Sequence, residues 1–395
     1  MRSASSVPSR SPKPRAAGWQ PVIAHACVLG MTQVLWLTYA PITGDAATSY
    51  GVSEGAVVWL ANVYPLLYFL LALPVGAALD RRPLPVLAAG ALLTAAAGLT
   101  RAVSESYEAA LAGQLLGAFA QPVLYNGIVV VARASLPEEQ RATGIAVGTV
   151  GSFVGLILGL VLPPLLADGT DLSTLLWVEG GAALLFGLVQ LATLRMPLHA
   201  HMADELEPRA LRKLLADPAV RALALVSFGG FGIFATLLTA LEPLLGHRGI
   251  ETGTTDLITV AMTLVGILAS LVVPPLVARR RTERRLLTVA LLGASLAVAL
   301  MALDLPVALL AALALVIGGL LLPALPVLLE LGERRHPILG GTVSAIIFLT
   351  GNLGVAILTA AAIGLKGWAA PPFLLLSAVA LLALGGARRG LRELS

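Results

Sequence analysis

Charged residues are scarce in this chain of 395 residues. Asp, Glu, Lys and Arg together make up 12% of it, whereas soluble globular proteins carry about 25%. So little charge cannot solvate the surface of a soluble protein of this length. The composition therefore argues against a soluble enzyme, a disordered chain and a nucleic-acid-binding protein. Apolar residues make up 57% and the mean hydropathy is +0.89, so we expect an integral membrane protein.

Cysteine and the common catalytic constellations are also lacking. The single cysteine, Cys27, excludes an internal disulfide and a cysteine-rich zinc site. His199 and His201 form a His-x-His pair, but no further ligands accompany it, so the signal for a metal is weak. Neither a catalytic triad nor a glycine-rich nucleotide loop with lysine can be recognised. We accordingly expect no enzymatic activity, no cofactor and no metal.

Long apolar runs are what the sequence does contain. A helix needs about 20 mostly apolar residues to cross a bilayer core of about 30 Å. Such runs predict an all-α membrane protein with twelve transmembrane helices. The predicted spans are residues 20–44, 55–79, 84–103, 108–132, 142–166, 173–195, 219–246, 254–278, 286–303, 306–330, 337–364 and 369–387.

The distribution of cations supports this count. Cytoplasmic loops of membrane proteins accumulate Lys and Arg. With a cytoplasmic N-terminus, every one of the 26 cationic residues except Arg101, Arg248 and Lys366 falls on a cytoplasmic segment. A missed helix would invert all later loops and spoil this asymmetry. Both termini are therefore predicted to be cytoplasmic, and we call the membrane side that carries them the basic side.

The chain is predicted to consist of two pseudo-symmetric six-helix bundles, residues 19–195 and 219–387. The charged stretch 196–218 reads as a cytoplasmic linker between them. Residues 1–18 read as a disordered cytoplasmic tail, and residues 388–395 as a second tail. The excess of Arg over Lys, with much Ala, Leu and Gly, is typical of a GC-rich bacterial genome, which suggests a bacterial inner membrane.

Six helices, a long linker and six more helices resemble the major facilitator superfamily, whose halves are related by an axis along the membrane normal. A weak internal repeat supports the resemblance, because Gly151 and Gly155 of span 5 have counterparts in Gly351 and Gly354 of span 11. Small residues at such spacing let membrane helices pack closely. Span 5 carries a whole row of them, at Gly144, Gly148, Gly151, Gly155 and Gly159.

The end of span 2 resembles the loop signature of the same superfamily. It runs from Gly76 through Asp80 and Arg81 to Arg82. An aspartate can sit at the N-terminus of a neighbouring helix, where the helix dipole favours an anion, and the following arginine can pair across the seam. We therefore predict that Asp80 and Arg81 form a gating latch. The alternative is an ordinary positive-inside anchor with an incidental acid.

Polar and aromatic residues near the centres of the spans are the candidates for substrate binding, because transporters bind near the bilayer midplane and polar groups there are costly. They carry no charge, which suits a cation held by aromatic faces or a neutral amphipathic solute. The alternative is that the aromatic rings pack and the amides bind backbone. The predicted residues are Gln33, Trp36, Gln121, Tyr125, Phe153, Phe231 (with Phe228 and Phe234 beside it) and Asn352.

Acids within the spans are few and lie away from the midplane. Glu179 falls near the start of span 6 and Glu242 near the end of span 7. Either acid can carry a proton, and either can simply reach the membrane interface. We predict a gating or entrance role for Glu242 and no role for Glu179.

Several segments resemble the feline leukaemia virus subgroup C receptor-related family. They are 36–42, 50–52, 58–64, 79–81, 120–126, 155–166 and 325–337. The resemblance implies alternating-access transport of a small organic solute; animal members are associated with choline and ethanolamine, and earlier with haem. It also implies that Trp36 and a span 5 glutamine enclose the choline headgroup. Here Phe153 stands in place of that glutamine, and an aromatic ring can still face a quaternary ammonium.

Together these features predict a monomeric secondary transporter in the lipid bilayer, which moves a small amine or other amphipathic metabolite and binds no nucleic acid. Whether a proton or another ion is coupled to transport stays open. The first alternative is a proton-coupled exporter of drugs or metabolites that uses Glu242 or Glu179. A remote alternative is a membrane protein without transport activity.

Overall fold

The computed structural model describes residues 18–104, 106–167, 171–195 and 208–393. Fifteen α-helices lie within these ranges: α1 (Gln20–Leu37), α2 (Thr43–Tyr50), α3 (Glu54–Arg81), α4 (Pro83–Ala102), α5 (Tyr107–Ser135), α6 (Glu138–Ala167), α7 (Leu172–Thr193), α8 (Pro208–Ala216), α9 (Pro218–Leu245), α10 (Thr252–Arg280), α11 (Glu283–Met301), α12 (Val307–Leu321), α13 (Ala324–Arg335), α14 (Gly340–Gly364) and α15 (Pro371–Arg392). The predicted N-terminal tail before Gly18 and linker residues 196–207, including His199 and His201, lie outside the described residues.

The all-α membrane fold is confirmed. The described part of the chain contains twelve helical segments that are long and apolar enough to cross a membrane, and it contains no strand. The last span reaches Arg392, beyond the predicted end at residue 387, and basic residues in a last turn are favoured by the helix dipole.

Two of the predicted spans are not continuous helices. The first ends at Leu37 instead of residue 44. The separate helix α2 follows and ends at Tyr50, with Gly51 as its C-cap at a φ of 64°. Pro41 lies between the two helices, and the residue before a proline is disfavoured in a helix. The tenth span is two helices, α12 and α13, because Pro323 and Pro326 interrupt the backbone hydrogen bonds there.

The two halves repeat the same packing. In the first half α1 packs on α6, α4 on α7 and α3 on α5. The equivalent helices of the second half make the equivalent pairs: α9 packs on α14, α11 on α15 and α10 on α12. Between the halves, α3 packs on α14 and α6 packs on α10. In each contact the second span of one half meets the fifth span of the other, so the two contacts are equivalent.

Glycines make two of these crossings possible. A Cβ atom on Gly151 of α6 would lie 2.7 Å from the carbonyl oxygen of Ala26 in α1. In the second half, a Cβ atom on Gly232 of α9 would lie 3.0 Å from the carbonyl carbon of Gly354 in α14. The backbones therefore touch, which is the close packing predicted for the repeated glycines.

The halves also meet backbone to backbone on the basic side. A Cβ atom on Gly76, near the end of α3, would lie 2.7 Å from the carbonyl oxygen of Gly341, near the start of α14. The converse distance, from a Cβ atom on Gly341 to the carbonyl oxygen of Gly76, is 2.8 Å. We call this contact the basic-side seam.

The described end of the linker is fixed to the second half. Asp217 is the N-cap of α9, and its carboxylate accepts hydrogen bonds from the backbone N–H of Ala219 (2.8 Å) and from His336 at the end of α13 (2.8 Å). Burial by itself would raise the pKa of the Asp217 carboxyl. The hydrogen bonds from Ala219, His336 and Arg335 outweigh burial and hold this pKa below its usual value.

Candidate substrate-binding site

A cavity of about 130 Å³ lies between the two halves. Trp36 reaches it from the last turn of α1, whereas Tyr68, Tyr125 and Phe153 lie near the middle of their helices. Helices α1, α3, α5 and α6 of the first half and α9, α13 and α14 of the second half contribute to its wall. Six of the seven residues predicted to bind substrate line this one cavity: Trp36, Gln121, Tyr125, Phe153, Phe231 and Asn352.

Aromatic rings form most of the wall. Besides the predicted rings, Phe234 among them, the wall includes Tyr68 and Phe348, which brings the number of aromatic side chains to seven. None of the side chains that line the cavity, all within the described ranges, carries a charge. The site is thus chemically an aromatic box with a few amide and hydroxyl groups.

Two ring pairs cross from one half to the other. Tyr125 of α5 contacts Phe348 of α14 with ring centroids 4.7 Å apart, and Phe153 of α6 contacts Phe234 of α9 with centroids 6.4 Å apart. Both distances lie in the usual range for aromatic pairs. The rings that line the cavity therefore also join the halves.

Gln33 is the one predicted binding residue that does not line the cavity. It is fully buried, and its side-chain oxygen accepts a hydrogen bond of 3.2 Å from the hydroxyl of Tyr125. Gln33 therefore lies behind Tyr125 and orients that ring. The prediction rested on the position of Gln33 near the centre of its span, which does not show whether a side chain is covered by a neighbouring helix.

Polar side chains hold other parts of the wall in place. The hydroxyl of Tyr68 donates to the side-chain oxygen of Asn126 (3.3 Å), whose amide donates to the carbonyl oxygen of Ala72 (2.9 Å). The side-chain amide of Asn352 donates to the carbonyl oxygen of Phe348, 2.8 Å away. The wall is thus preorganised by hydrogen bonds as well as by ring packing.

Sequence reasoning missed Tyr68 and Phe348. Tyr68 lies next to the centre of predicted span 2, so its position along the helix carried the signal. Phe348 precedes Asn352 by four residues, which puts both on one face of α14. Both could have been found by applying the midplane and helical-spacing criteria to every span.

Trp36 is fixed against α3. Its indole N–H donates to the carbonyl oxygen of Ala61 at 2.9 Å. Its ring also stacks on Tyr64, with centroids 6.0 Å apart and planes inclined by 23°. These contacts orient the ring that closes the α1 side of the cavity.

The two candidate acids lie away from the cavity. Glu179 is buried and forms an ion pair with Arg101, with 2.6 Å between the guanidinium nitrogen and the carboxylate oxygen. Arg101, one of the three cations that the sequence analysis did not assign to a cytoplasmic segment, lies in the last turn of α4 and is fully buried. Glu242 is exposed in the last turns of α9 and does not line the cavity, so its predicted gating role stays a prediction.

Asp80 crosses the basic-side seam, as its motif led us to expect. Its carboxylate accepts hydrogen bonds from the backbone N–H groups of Gly341 (2.7 Å) and Thr342 (2.9 Å) and from the Thr342 hydroxyl (2.6 Å). The carboxylate thus caps the N-terminus of α14 in the other half, where the helix dipole attracts an anion. Because Asp80 is almost fully buried, it is no incidental surface acid; Arg81 beside it is exposed.

Solved structures of transporters share this architecture. The chain superposes on the human organic anion transporter MFSD10 with a TM-score of 0.73, 20% sequence identity and coverage of 96% of this chain and 100% of that one. For the fucose:proton symporter FucP of E. coli the TM-score is 0.71, at 15% identity and with coverage of 93% and 98%. At these identities the likeness concerns the fold alone.

Sequence comparisons identify the family. Solute carrier family 49 member A3 of Danio rerio is 26% identical over 362 residues, which are 85% of this chain and 76% of the relative. The choline/ethanolamine transporter FLVCR2 of Homo sapiens is 25% identical over 179 residues, 42% of this chain and about a third (34%) of that protein. These matches confirm the resemblance seen in the sequence. Residues 22–359 match the model of the Major Facilitator Superfamily; the chain is a multi-pass membrane transporter, not an enzyme, and it belongs to that superfamily.

Proposed function

We propose that the protein transports a small organic amine, with a substituted ammonium group as the part recognised in the cavity. The observation that carries this proposal is a cavity lined by seven aromatic side chains and no charged one. Aromatic faces attract cations by about 0.5 to 2 kcal/mol per ring. They offer nothing comparable to an anion, so the wall favours a cation or a neutral solute.

The size of the cavity narrows the substrate further. At about 30 Å³ per water molecule in the liquid, 130 Å³ corresponds to a compact solute of a few non-hydrogen atoms. Drug-sized ligands occupy pockets of about 300–1,000 Å³. The cavity therefore favours choline or ethanolamine, the substrates in the name of the relative FLVCR2, over a drug or a haem.

We propose that transport proceeds by alternating access, and the position of the cavity between the two halves supports this. We infer that the structure is the state closed on the basic side, because Asp80 and the glycines of the seam join the halves there. The cation distribution supports a cytoplasmic basic side, and we propose a monomer in a bacterial inner membrane. The driving force is the gradient of the substrate or of a coupled ion.

Of the two acids that the proton-coupled exporter alternative could use, Glu179 is poorly suited to carry a proton. Glu179 is buried in an ion pair with Arg101 and does not line the cavity, which speaks against a role as the proton carrier. Glu242 is then the acid on which proton coupling would depend. If transport is coupled to protons through Glu242, uptake by the unaltered protein responds to an imposed pH gradient and uptake by Glu242→Gln does not. We expect instead that the gradient changes uptake by neither the unaltered protein nor the Glu242→Gln variant.

Uptake of labelled choline and ethanolamine into proteoliposomes tests the proposed function. We expect saturable uptake, its loss in Trp36→Ala and its partial retention in Trp36→Phe. Trp59→Ala is the matched control, because Trp59 is 56% exposed on the outside of α3. Full activity of Trp36→Ala, or the absence of choline and ethanolamine uptake by the unaltered protein, would contradict the proposal.

A further inference from the structure

The last turn of α1 carries Trp36 and ends inside the protein. The final carbonyl groups of a helix lack partners within it. Here Arg101 of α4 donates from Nη1 to the carbonyl oxygen of Leu35, 3.0 Å away. The side-chain amide of Gln114 in α5 donates to the carbonyl oxygen of Trp36 itself at 3.4 Å. Side chains from two other helices thus hold the end of α1 on both sides of the tryptophan Cα.

Arg101 is held in turn by Glu179 and Thr38, which also hydrogen-bond to each other. Its Nη2 lies 2.6 Å from the Oε2 of Glu179 in α7, and its Nη1 donates to the hydroxyl of Thr38 at 3.2 Å. That hydroxyl donates in turn to Glu179 Oε2 at 2.8 Å. The guanidinium carbon lies 5.6 Å from the centre of the Tyr39 ring. We call Arg101, Glu179, Thr38 and Gln114 the Arg101 cluster.

Stability alone is a poor explanation for this cluster. Charges within the bilayer are costly, and buried ion pairs can often be replaced by apolar residues without loss of stability. Apolar residues cannot donate to the terminal carbonyl groups of α1. A cation can, and it also complements the negative end of the helix dipole. The property that needs the ion pair is therefore the position of the last turn of α1.

We propose that Arg101 and Glu179 are positioning residues for Trp36. Arg101 fixes the backbone of the last turn through Leu35, and Glu179 fixes Arg101. The indole hydrogen bond to Ala61 and the stacking on Tyr64 then set the direction of the ring from the α3 side. Together they keep the tryptophan face at the wall of the cavity, so that the Trp36 ring itself does not have to move when a solute binds.

The double variant Arg101→Met with Glu179→Leu separates positioning from stability, because it leaves no unpaired charge in the interior. With choline as the transported probe, a readout that rests on the proposed function, we expect KM to rise about tenfold while the maximal rate changes by less than about twofold. Arg248→Met is the matched control. Arg248 also donates to carbonyl oxygens, those of Leu303 and Ala369, but in the second half, and its replacement should leave KM unchanged.

A second readout does not depend on the identity of the substrate. In protein whose other tryptophans (Trp19, Trp59, Trp177 and Trp368) are replaced by phenylalanine, the fluorescence of Trp36 reports on its own surroundings. We expect quenching by acrylamide to increase at least about twofold in the double variant, since a loosened ring is more accessible to solvent. If this occurs although the unaltered protein transports no choline, positioning stands and the proposed function fails.

A milder variant covers the case in which the double variant does not fold. Gln114→Leu keeps the ion pair and removes the donor to the Trp36 carbonyl oxygen. We expect KM for choline and the quenching of Trp36 to rise in the same direction, by a smaller factor. Unchanged KM and unchanged quenching in a folded double variant, or in Gln114→Leu, would show that the cluster serves stability alone and would overturn the proposal.

Discussion

Replacing Asp80 with asparagine tests whether the contact across the basic-side seam controls the conformational equilibrium. The carboxylate accepts three hydrogen bonds from the first turn of α14, at 2.7, 2.9 and 2.6 Å. Asparagine has nearly the same shape, but it carries no charge and has one acceptor oxygen in place of two. The variant therefore weakens the contact without creating a cavity.

The size of the effect follows from these contacts. A hydrogen bond to a charged group contributes about 1.5–3 kcal/mol, and a charge at a partly buried helix end contributes up to about 2 kcal/mol. Because asparagine keeps one acceptor, we expect a loss of about 2–4 kcal/mol in the state with the seam closed. At 1.4 kcal/mol for each factor of ten, the equilibrium shifts roughly 30- to 700-fold toward the state in which the seam is open.

Cysteine labelling measures this shift. Ser344 is buried and lies one turn beyond Gly341 on α14, so a cysteine there is covered while the seam is closed. In Cys27→Ser protein with Ser344→Cys, we expect Asp80→Asn to speed labelling by an impermeant maleimide from the basic side at least about tenfold. Asp217→Asn is the control, because Asp217 caps α9 within the second half. Equal or slower labelling in Asp80→Asn would refute the reasoning.

Two further predictions concern stability. Gly155→Leu would force α6 away from the backbone of Gly30 in α1 and should destabilise the protein by about 1–3 kcal/mol in a thermal unfolding assay. Gly181→Leu is the control, because nothing lies within 4 Å of a Cβ atom there. Equal melting temperatures of the two variants would contradict the close contact between α1 and α6. Because the folded-state pKa of Asp217 is lowered, its contribution is present above the unfolded value of about 3.9 and lost as pH falls through the folded value. The difference in melting temperature between Asp217→Ala and the parent should therefore shrink below about pH 4, and a constant difference would contradict this.

The number and order of the helices could be predicted because hydropathy is a local property of the chain. The end of α1 and the break in span 10 could not, although Pro41 and Pro323 are visible in the sequence. Prolines are tolerated inside membrane helices where neighbouring groups satisfy the freed backbone. Others lie within continuous helices of this protein: Pro65, Pro74, Pro122, Pro163, Pro164, Pro243, Pro274 and Pro275. A proline alone therefore does not show where a span ends.

The sequence predicts those residues of the candidate site that can be identified by their depth in the membrane. Position along a span placed Trp36, Tyr125 and Phe153 near the midplane, and they do line one cavity. The partners of Arg101 could not be foreseen in this way. Glu179 lies 78 residues further along the chain, and their pairing depends on how α4 and α7 are rotated about their own axes, which hydropathy does not determine in spans that are apolar on all sides.

The ring pairs Tyr125–Phe348 and Phe153–Phe234 place a limit on how tightly this protein can hold its cargo. A solute that enters between these rings replaces ring contacts between the two halves with contacts between the rings and the solute. Binding therefore weakens the contact between the halves that encloses the cavity. Larger or better stacked rings would hold the solute and the halves more firmly together. Such a change would lower the turnover rate, because a ligand advances a transport cycle only through its differential affinity for the two states.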